Sequence, residues 1–234
     1  EYVLAGWPIW KFLEIPVYLW YNHKKADFFA RLAMKLSKKV FYTSSHSAGA
    51  KLPSSIQMPV GVDTELFMQC IPIGERGASV LSLGRIDPIK NIDVLANAIL
   101  LLDGQNPIEF KVTIAGSPSW GNEKYAAHVR EMLKPLVDRG MASFVGGIPH
   151  VDTAELFNQN KVFINLSPPG LFDKTIIEAM ACGCLVIAGS QSIDDVIGEE
   201  GRVGRVEPAL VAEKIKASFG LSPAEFSRRS SLNR

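Results

Sequence analysis

One loop of this 234-residue chain carries two basic side chains at a position where phosphate could bind. Arg85 and Lys90 follow the apolar run "SVLSLG", which is typical of a buried strand, and precede a helical pattern that starts at about Ile92. Ligands of open α/β sheets bind beyond the carboxyl ends of the strands. An Arg fork and a Lys ammonium could there stabilise a diphosphate whose charge grows as it leaves. A solvated basic loop is the alternative interpretation.

A second stretch, "SPPGLFDKTIIEAMACGCLVIAG" at 167–189, predicts a loop, a helix and a buried strand, with the single carboxylate of Glu178 inside an apolar run. Unpaired amides at the helix start, with Lys174 beside them, could bind an anion. Glu178 lies about one turn further on, where a carboxylate could accept hydrogen bonds from vicinal sugar hydroxyls. Its apolar neighbours argue against a solvent-facing carboxylate, although a bond to a neighbouring backbone group would also satisfy it.

Glycines mark two further loops. The segment "IAGSPSWGNE" leaves its strand through Gly116 and Ser117 but lacks the spacing of a dinucleotide-binding fingerprint. The segment "FVGGIPHVD" contains Gly146 and Gly147, which would let the backbone approach a flat nucleobase closely. An ordinary tight turn is the simpler explanation of the glycines in both loops.

The composition bounds the class of protein. A hydrophobic content of 47% is ample for a packed core, and 25 Lys and Arg against 24 Asp and Glu give no support for nucleic-acid binding. The cysteines Cys70, Cys182 and Cys184 fit neither a zinc site nor a disulfide framework. No apolar run is long enough to cross a bilayer, and the start lacks the layout of a signal peptide. We therefore expect a cytoplasmic globular protein with no bound metal.

From residue 78 onward, short apolar runs alternate with helical patterns, which predicts a doubly wound parallel α/β sheet. The predicted strands are 78–83, 109–115, 142–145, 161–166, 184–188 and 202–206, and the predicted helices are 92–102, 123–139, 153–158, 174–182 and 208–219. Upstream, "IPVYLWY", "KVFYTSS" and "IQMP" predict three short strands, with a helix at about 24–37. We expect a partial Rossmann-like domain at 1–72, a complete one at 73–220 and a truncated return segment at 221–234.

Taken in order, these motifs resemble the retaining glycosyltransferases of family 4, among the group 1 glycosyl transferases, which have two Rossmann-like domains (the GT-B fold). The segments that carry the resemblance are "IQMPVGVDTELF", "SLGRIDPIKNIDVLANAI" and "FINLSPPGLFDKTIIEAMACGCLVIAG". The resemblance covers nearly the whole chain and implies the donor domain together with the end of the acceptor-side domain. Val60 stands where Asn is usual. Gly170 stands where a Glu commonly faces the transferred sugar, although a subset of the family reads "GxFDK" there.

The resemblance also implies roles for individual residues. His23, at the end of a strand, would face the transferred sugar and the acceptor, whereas Arg85 and Lys90 would contact the donor diphosphate, so these three are the expected catalytic residues. Glu178 would bind the ribose. The expected donor-binding residues are Gly84, Arg85, Lys90, Ser117, Ile148, Gly170, Leu171, Phe172, Asp173, Lys174, Thr175 and Glu178. The implied reaction is front-face, metal-independent transfer, with retention, of a hexose-like sugar from a UDP- or GDP-sugar, without a further cofactor.

The acceptor is not defined by the sequence and could be a glycan, a lipid-linked sugar or a small molecule. The segment 24–39 contains six basic residues, Lys24, Lys25, Arg31, Lys35, Lys38 and Lys39, beside a stripe of apolar side chains. Such a helix could lie on anionic lipid, which would make the protein membrane-peripheral. The alternative is a helix that packs on its own sheet and exposes a solvated basic side.

Two other functions fit the sequence. Gly170 favours a non-catalytic module that binds a nucleotide sugar, which would bind donor without turnover. An epimerase or phosphorylase on the same architecture fits less well, since no cofactor lysine motif is recognisable. The chain starts at the strand before His23, so we expect the preceding strands of the acceptor-side domain to be missing and this fragment to be inactive alone.

Overall fold

The computed structural model describes residues 2–105, 109–168 and 173–231. Its contacts divide the chain into two compact units, with the main boundary between Gly61 and Val62. The first unit also takes in the short segment 191–193. The sequence-based domain bounds 1–72, 73–220 and 221–234 stay a prediction.

The first unit contains a small parallel sheet of three strands in the order β1-β2-β3. The strands are β1 (Tyr18–Trp20), β2 (Lys39–Tyr42) and β3 (Ile56–Gln57), and the helices are α1 (Tyr2–Phe12) and α2 (Phe28–Leu36). The three strands lie inside the three predicted upstream segments, whereas α1 was not predicted. Helix α2 begins later than predicted because Asp27 caps it, with Oδ1 accepting a hydrogen bond of 2.7 Å from the Ala30 amide. Four of the six basic residues at 24–39 therefore flank the helix rather than lie on it.

The second unit contains a parallel sheet of five strands in the order β6-β5-β4-β7-β8. The chain moves outward from β4 through β5 to β6 and then returns to place β7 on the other side of β4, which makes the gap between β4 and β7 the topological switch point. The strands are β4 (Ser79–Leu83), β5 (Lys111–Ala115), β6 (Ala142–Gly146), β7 (Val162–Asn165) and β8 (Leu185–Ala188). The helices are α3 (Ile92–Gln105), α4 (Glu123–Asp138), α5 (Thr153–Gln159), α6 (Lys174–Ala181), α7 (Asp194–Gly201), α8 (Pro208–Phe219) and α9 (Pro223–Ser231).

Alternate strand residues of the second unit face two different layers of helices. Val80 and Val162 lie in the core that α3, α4 and α8 complete on one side. Leu81 and Phe163, one position further along, are equally buried, and the Phe163 ring packs edge-on against Phe157 of α5 with centroids 5.3 Å apart. Burial on both faces explains why these strands read as continuous apolar runs.

The predicted sixth strand at 202–206 was wrong. Within the described residues, this segment forms a single bridge, between Ala188 and Arg202. Val203 still donates to the Ala188 carbonyl at 2.9 Å and is buried, but the chain bends at Gly204 and Arg205 and leaves the edge of β8. Val203 and Val206 pack against the core, but the segment does not pair with β8 along its length. The alternation of these two valines with polar residues and glycine was therefore mistaken for a strand.

No helix in the described ranges is both long and apolar enough to cross a membrane. The strongly apolar α1 spans 11 residues. That is about half of the roughly 20 residues that a spanning helix needs.

A buried guanidinium ties the segment before β4 to the rest of the second unit. Arg76 is 3% exposed and donates to the carbonyl oxygens of Ile71, Phe157, Asn160 and Cys182 at 2.7–3.1 Å. Three of these carbonyls lie at the carboxyl ends of α5 and α6, where the unpaired carbonyls of a helix carry partial negative charge. Arg76 thus satisfies two helix ends with one side chain.

We predict that Arg76→Met destabilises the chain by about 3 kcal/mol or more, because the apolar stem stays while several buried carbonyls lose their donor. Urea denaturation measures this change. Arg139→Met is the matched control, since Arg139 is exposed and solvent screens its ion pair with Asp103, so its loss should change the stability little. Equal, small losses in both variants would contradict the account.

Candidate functional site

In the loop between β4 and α3, Arg85 is exposed to solvent and lies beside Asp87, which is held by hydrogen bonds. The Arg85 side chain is 67% exposed, and its guanidinium lies 3.4 Å from the buried Asp87 carboxylate. Asp87 Oδ1 accepts hydrogen bonds from Ser119 Oγ at 2.6 Å and from Asn122 Nδ2 at 3.0 Å, which tie this loop to the loop after β5. Burial alone would raise the pKa of Asp87, but the bonds from Ser119 and Asn122 and the charge of Arg85 outweigh it and hold the pKa below its usual value.

The loops after β4, β5 and β6 lie backbone against backbone at the carboxyl edge of the sheet. Gly116 has a φ of +136°, and a Cβ at this position would lie 1.8 Å from the Gly84 carbonyl oxygen. A Cβ on Gly147 would lie 3.1 Å from Ser117 Oγ. Only a glycine fits at position 116, because the Gly84 backbone lies so close to it. Gly84, Ser117 and Gly147 therefore lie together at the carboxyl edge of the sheet.

At the switch point, Lys90 joins the loop after β4 to the loop after β7. Its ammonium lies 2.5 Å from Asp173 Oδ2 and 3.1 Å from Ser167 Oγ. Asn91, next along the chain, donates to the Leu166 carbonyl at 2.8 Å. Among the described residues, two of the three N–H donors of Lys90 have acceptors, and a phosphate oxygen could take the third.

Asp173 is the N-cap of α6 and is fully engaged by protein donors. Oδ2 accepts from Lys90 and from Asn165 Nδ2 at 2.8 Å, and Oδ1 accepts from the Thr175 hydroxyl at 2.8 Å and the Thr175 amide at 3.3 Å. A carboxylate offers about four acceptor positions, so these four donors occupy them. Burial alone would raise the pKa of Asp173, but the Lys90 charge and these hydrogen bonds hold it below its usual value.

The remaining residues expected at the start of α6 are placed as follows. The Thr175 amide is paired with Asp173, whereas the Lys174 side chain is exposed. Gly170, Leu171 and Phe172 lie outside the described residues. The free-amide anion site expected near the start of α6 therefore stays a prediction for the positions before Asp173.

Glu178 lies on α6 with its side chain 6% exposed, and Oε1 is 2.9 Å from His150 Nε2. The carboxylate does not face solvent, and its partner is a side chain, not the neighbouring backbone group that was the alternative interpretation. His150 follows Ile148 by two residues in the loop after β6, where Ile148 is half-buried. His150 could not be identified from the sequence, since nothing in a separation of 28 residues indicates that the two side chains meet.

His23 belongs to the first unit and follows the carboxyl end of β1. Its Nδ1 lies 2.7 Å from the Lys25 carbonyl oxygen, and the ring contacts Tyr21 edge-on at 6.5 Å between centroids. The contact of Nδ1 with the Lys25 backbone holds the orientation of the ring. Across the residues that the structure describes, no three His, Cys, Asp or Glu side chains cluster as metal ligands would.

Residues 77–219 match the family model described as "Glycosyl transferases group 1", so the chain belongs to this family. It is 26% identical over 145 residues to the O-antigen chain mannosyltransferase B of Escherichia coli, and 33% identical over 121 residues to the D-inositol 3-phosphate glycosyltransferase of Jonesia denitrificans. These matches cover 58% and 50% of the chain but only 36% and 28% of the two relatives. The chain thus spans about a third of the length of these relatives.

Solved structures confirm the expected α/β fold of the GT-B type. Anabaena HepE in complex with UDP and glucose matches with a TM-score of 0.80 at 17% identity, covering 99% of this chain and 69% of that one. The C-terminal domain of the group 1 glycosyl transferase LpcC from Francisella tularensis matches with a TM-score of 0.64 at 17% identity, covering 74% of this chain and 96% of that one. At this level of identity the likeness concerns the fold alone.

We predict that Asp173→Asn removes a pH-dependent part of the stability. Because folding lowers the pKa of Asp173 from 3.8, ionised Asp173 stabilises the fold above that value, and the contribution is lost as the pH falls through the folded pKa. The difference in free energy of unfolding between the unsubstituted chain and Asp173→Asn should be constant above about pH 5 and shrink below about pH 4. Urea titrations across this range measure it, and a difference that does not change with pH would contradict the prediction.

Proposed function

We propose that this chain supplies the donor-binding part of a retaining glycosyltransferase that moves a sugar from a nucleoside-diphosphate sugar to an acceptor. The observation that carries the proposal is the pair of cations, Arg85 and Lys90, at the switch point of the second unit, with a buried carboxylate further along α6. Glu178 follows the N-cap Asp173 by five residues, which is about 7.5 Å along a helix. This separation suits a diphosphate held by the cations and a ribose held by Glu178.

The relatives support a nucleotide-sugar donor. The curated relatives are named as a mannosyltransferase and as glycosyltransferases, and HepE was solved with UDP, with UDP and glucose, and with UDP-glucose. We therefore take UDP-sugars as the first donors to test and keep GDP-sugars as the second. The acceptor is left open among glycans, lipid-linked sugars and small molecules.

The proposed reaction proceeds on one face of the sugar with retention of configuration. The leaving diphosphate oxygens help to deprotonate the acceptor hydroxyl, while Arg85 and Lys90 stabilise the charge that develops on the diphosphate. His23 would be the polar group at the transferred sugar and the acceptor. This scheme requires no metal, because the two side-chain cations take the role of neutralising the leaving group.

Gly170 stands where the family usually has a Glu that contacts the transferred sugar, so another residue must recognise that sugar. Asp173 is a poor substitute because Lys90, Asn165 and Thr175 already occupy its acceptor positions. We assign Asp173 to holding Lys90 in place. Lys174, which is exposed at the first position of α6, is the better candidate for contacting the sugar.

We predict that nucleoside diphosphates raise the unfolding temperature of this chain and that Arg85→Met reduces the rise. The substitution removes an exposed cation from the diphosphate, so about tenfold weaker binding is expected. Differential scanning fluorimetry with UDP, GDP, ADP and their sugars measures the rise, which depends on ligand concentration and affinity. Arg139→Met is the matched control, since its exposed Arg follows α4 at the opposite, amino edge of the sheet. No rise with any nucleotide, or equal losses in both variants, would contradict the donor site.

Turnover separates an enzyme from a binding module. Donor hydrolysis and transfer should be assayed in this chain and in any longer form that its gene encodes, together with His23→Ala. We expect turnover in a form with a complete acceptor-side domain, and we expect His23→Ala to lower it at least tenfold while nucleotide binding stays the same. Binding without turnover in every form would favour the module.

We also propose that α2 contacts anionic lipid, which would bring the site to a membrane-bound acceptor. Ala33 and Met34 pack inward, whereas Phe28 and Phe29 are 72% and 61% exposed, with ring centroids 5.6 Å apart. Lys24, Lys25, Arg31 and Lys35 surround this pair in sequence. Two exposed aromatic rings among basic side chains suit the interface of an anionic bilayer.

We predict that the chain co-sediments with vesicles of anionic phosphatidylserine but not of neutral phosphatidylcholine. The double variant Phe28→Ser/Phe29→Ser should lose most of the binding, and high salt should weaken it by screening the basic residues. Trp120→Ser is the control, because Trp120 is 96% exposed in the loop after β5 and lies outside α2. Binding that both variants retain would argue for the solvated-helix interpretation.

A further inference from the structure

The imidazole of His150 holds the buried carboxylate of Glu178 on α6. Glu178 Oε1 accepts from His150 Nε2 at 2.9 Å, while the side chains are 6% and 64% exposed, respectively. A buried carboxylate is costly unless it is hydrogen-bonded, so the bond from His150 offsets part of the cost of burying Glu178. Because the His150 side chain is largely exposed and the Glu178 side chain is buried, the hydrogen bond connects the surface of the site with the core.

The imidazole is itself fixed by the surrounding structure. The Phe67 ring packs against it with centroids 5.1 Å apart and is in turn held against Phe157 at 6.1 Å. The His150 carbonyl accepts a bond of 2.7 Å from the Thr153 hydroxyl at the start of α5. Phe67 is 2% exposed, so the ring rests on a rigid support.

We propose that His150 is a positioning residue of the nucleoside subsite, which orients the Glu178 carboxylate and thereby sets a preference for ribose over 2′-deoxyribose. The inference rests on the proposed function. A carboxylate has about four acceptor positions, and His150 occupies one of them. The others can accept from two vicinal hydroxyls only if the carboxylate plane is held at a fixed angle, and the bond from His150 supplies that constraint.

Two features favour this role over a purely structural one. A partner needed only to satisfy Glu178 would be expected inside the core, whereas the His150 ring is largely exposed. The ring also lies in the same short loop as Ile148, the residue expected to pack near the nucleobase. A ligand whose base lies on this loop would place its ribose beside His150 and Glu178.

The test compares ribose preference in matched variants of the 234-residue chain. Calorimetry gives the dissociation constants of UDP, GDP and ADP and of their 2′-deoxy forms. His150→Leu keeps an apolar contact with Phe67 but cannot donate, whereas the amide of His150→Gln can donate one hydrogen bond. His128→Ala, on the exposed side of α4, is the control for loss of an imidazole. Thermal unfolding without nucleotide checks that each variant folds.

We expect the unsubstituted chain and His128→Ala to prefer the ribose form by about tenfold, the effect of one good hydrogen bond to a charged group. His150→Leu should lose most of this preference with little change for the deoxy form, and His150→Gln should restore it. Equal weakening of both forms, or an unchanged preference in His150→Leu, would overturn the inference alone. No binding of any nucleotide by the unsubstituted chain would overturn the proposed function and the inference with it.

Discussion

The arrangement of the second unit depends on the pairing of Lys90 with Asp173 across the switch point. The two residues follow different strands, β4 and β7, and meet at 2.5 Å with both side chains mostly buried. Truncating either residue would leave the other charge without its partner in a partly dry environment, which is more costly than losing a surface ion pair. The pair therefore fixes the loop that presents Arg85 relative to the first turn of α6. The position of Glu178 then follows from the helix, and so does the nucleoside subsite that we propose.

Two other features, the buried side chain of Arg76 and the backbone contact at Gly116, support this arrangement. Arg76 closes the carboxyl ends of α5 and α6, which holds both helices against the same face of the sheet. Gly116 lets the loops after β4 and β5 lie in backbone contact. The Arg85 side chain is 67% exposed and the Lys90 side chain 15% exposed, so Arg85 is the more accessible of the two cations. On this account Arg85, exposed and held by Asp87, makes the first contact with a diphosphate, and Lys90 contributes its remaining donor.

Much of this architecture could be read from the sequence, and the exceptions have physical causes. Strands buried on both faces give uninterrupted apolar runs, so β4 to β8 were predicted, and the bounds of α8 agree with the structure because Pro208 opens it. The segment 202–206 has a strand-like sequence, but among the described residues it forms one bridge to β8, because the chain turns away at Gly204. The residues of α1 form an apolar segment with no recognisable helix-capping residue, so this helix was not predicted. His150 and Glu178 lie in a loop and a helix that are far apart in the chain. Local sequence patterns cannot predict such a contact. The contacts of Asp173 with Lys90 and Asn165 were hidden for the same reason, because Lys90 lies in the loop after β4 and Asn165 ends β7.

The central claim is that a nucleoside diphosphate binds at the carboxyl edge of the second unit, between the loop after β4 and the start of α6. Amide chemical-shift mapping by NMR during a titration with UDP, and then with GDP and ADP, tests it most directly. The account predicts that the largest shifts fall in residues 84–91, 147–150 and 174–178. Shifts confined to other surfaces, such as α8 or the first unit, or no shifts with any of the three nucleotides, would contradict it.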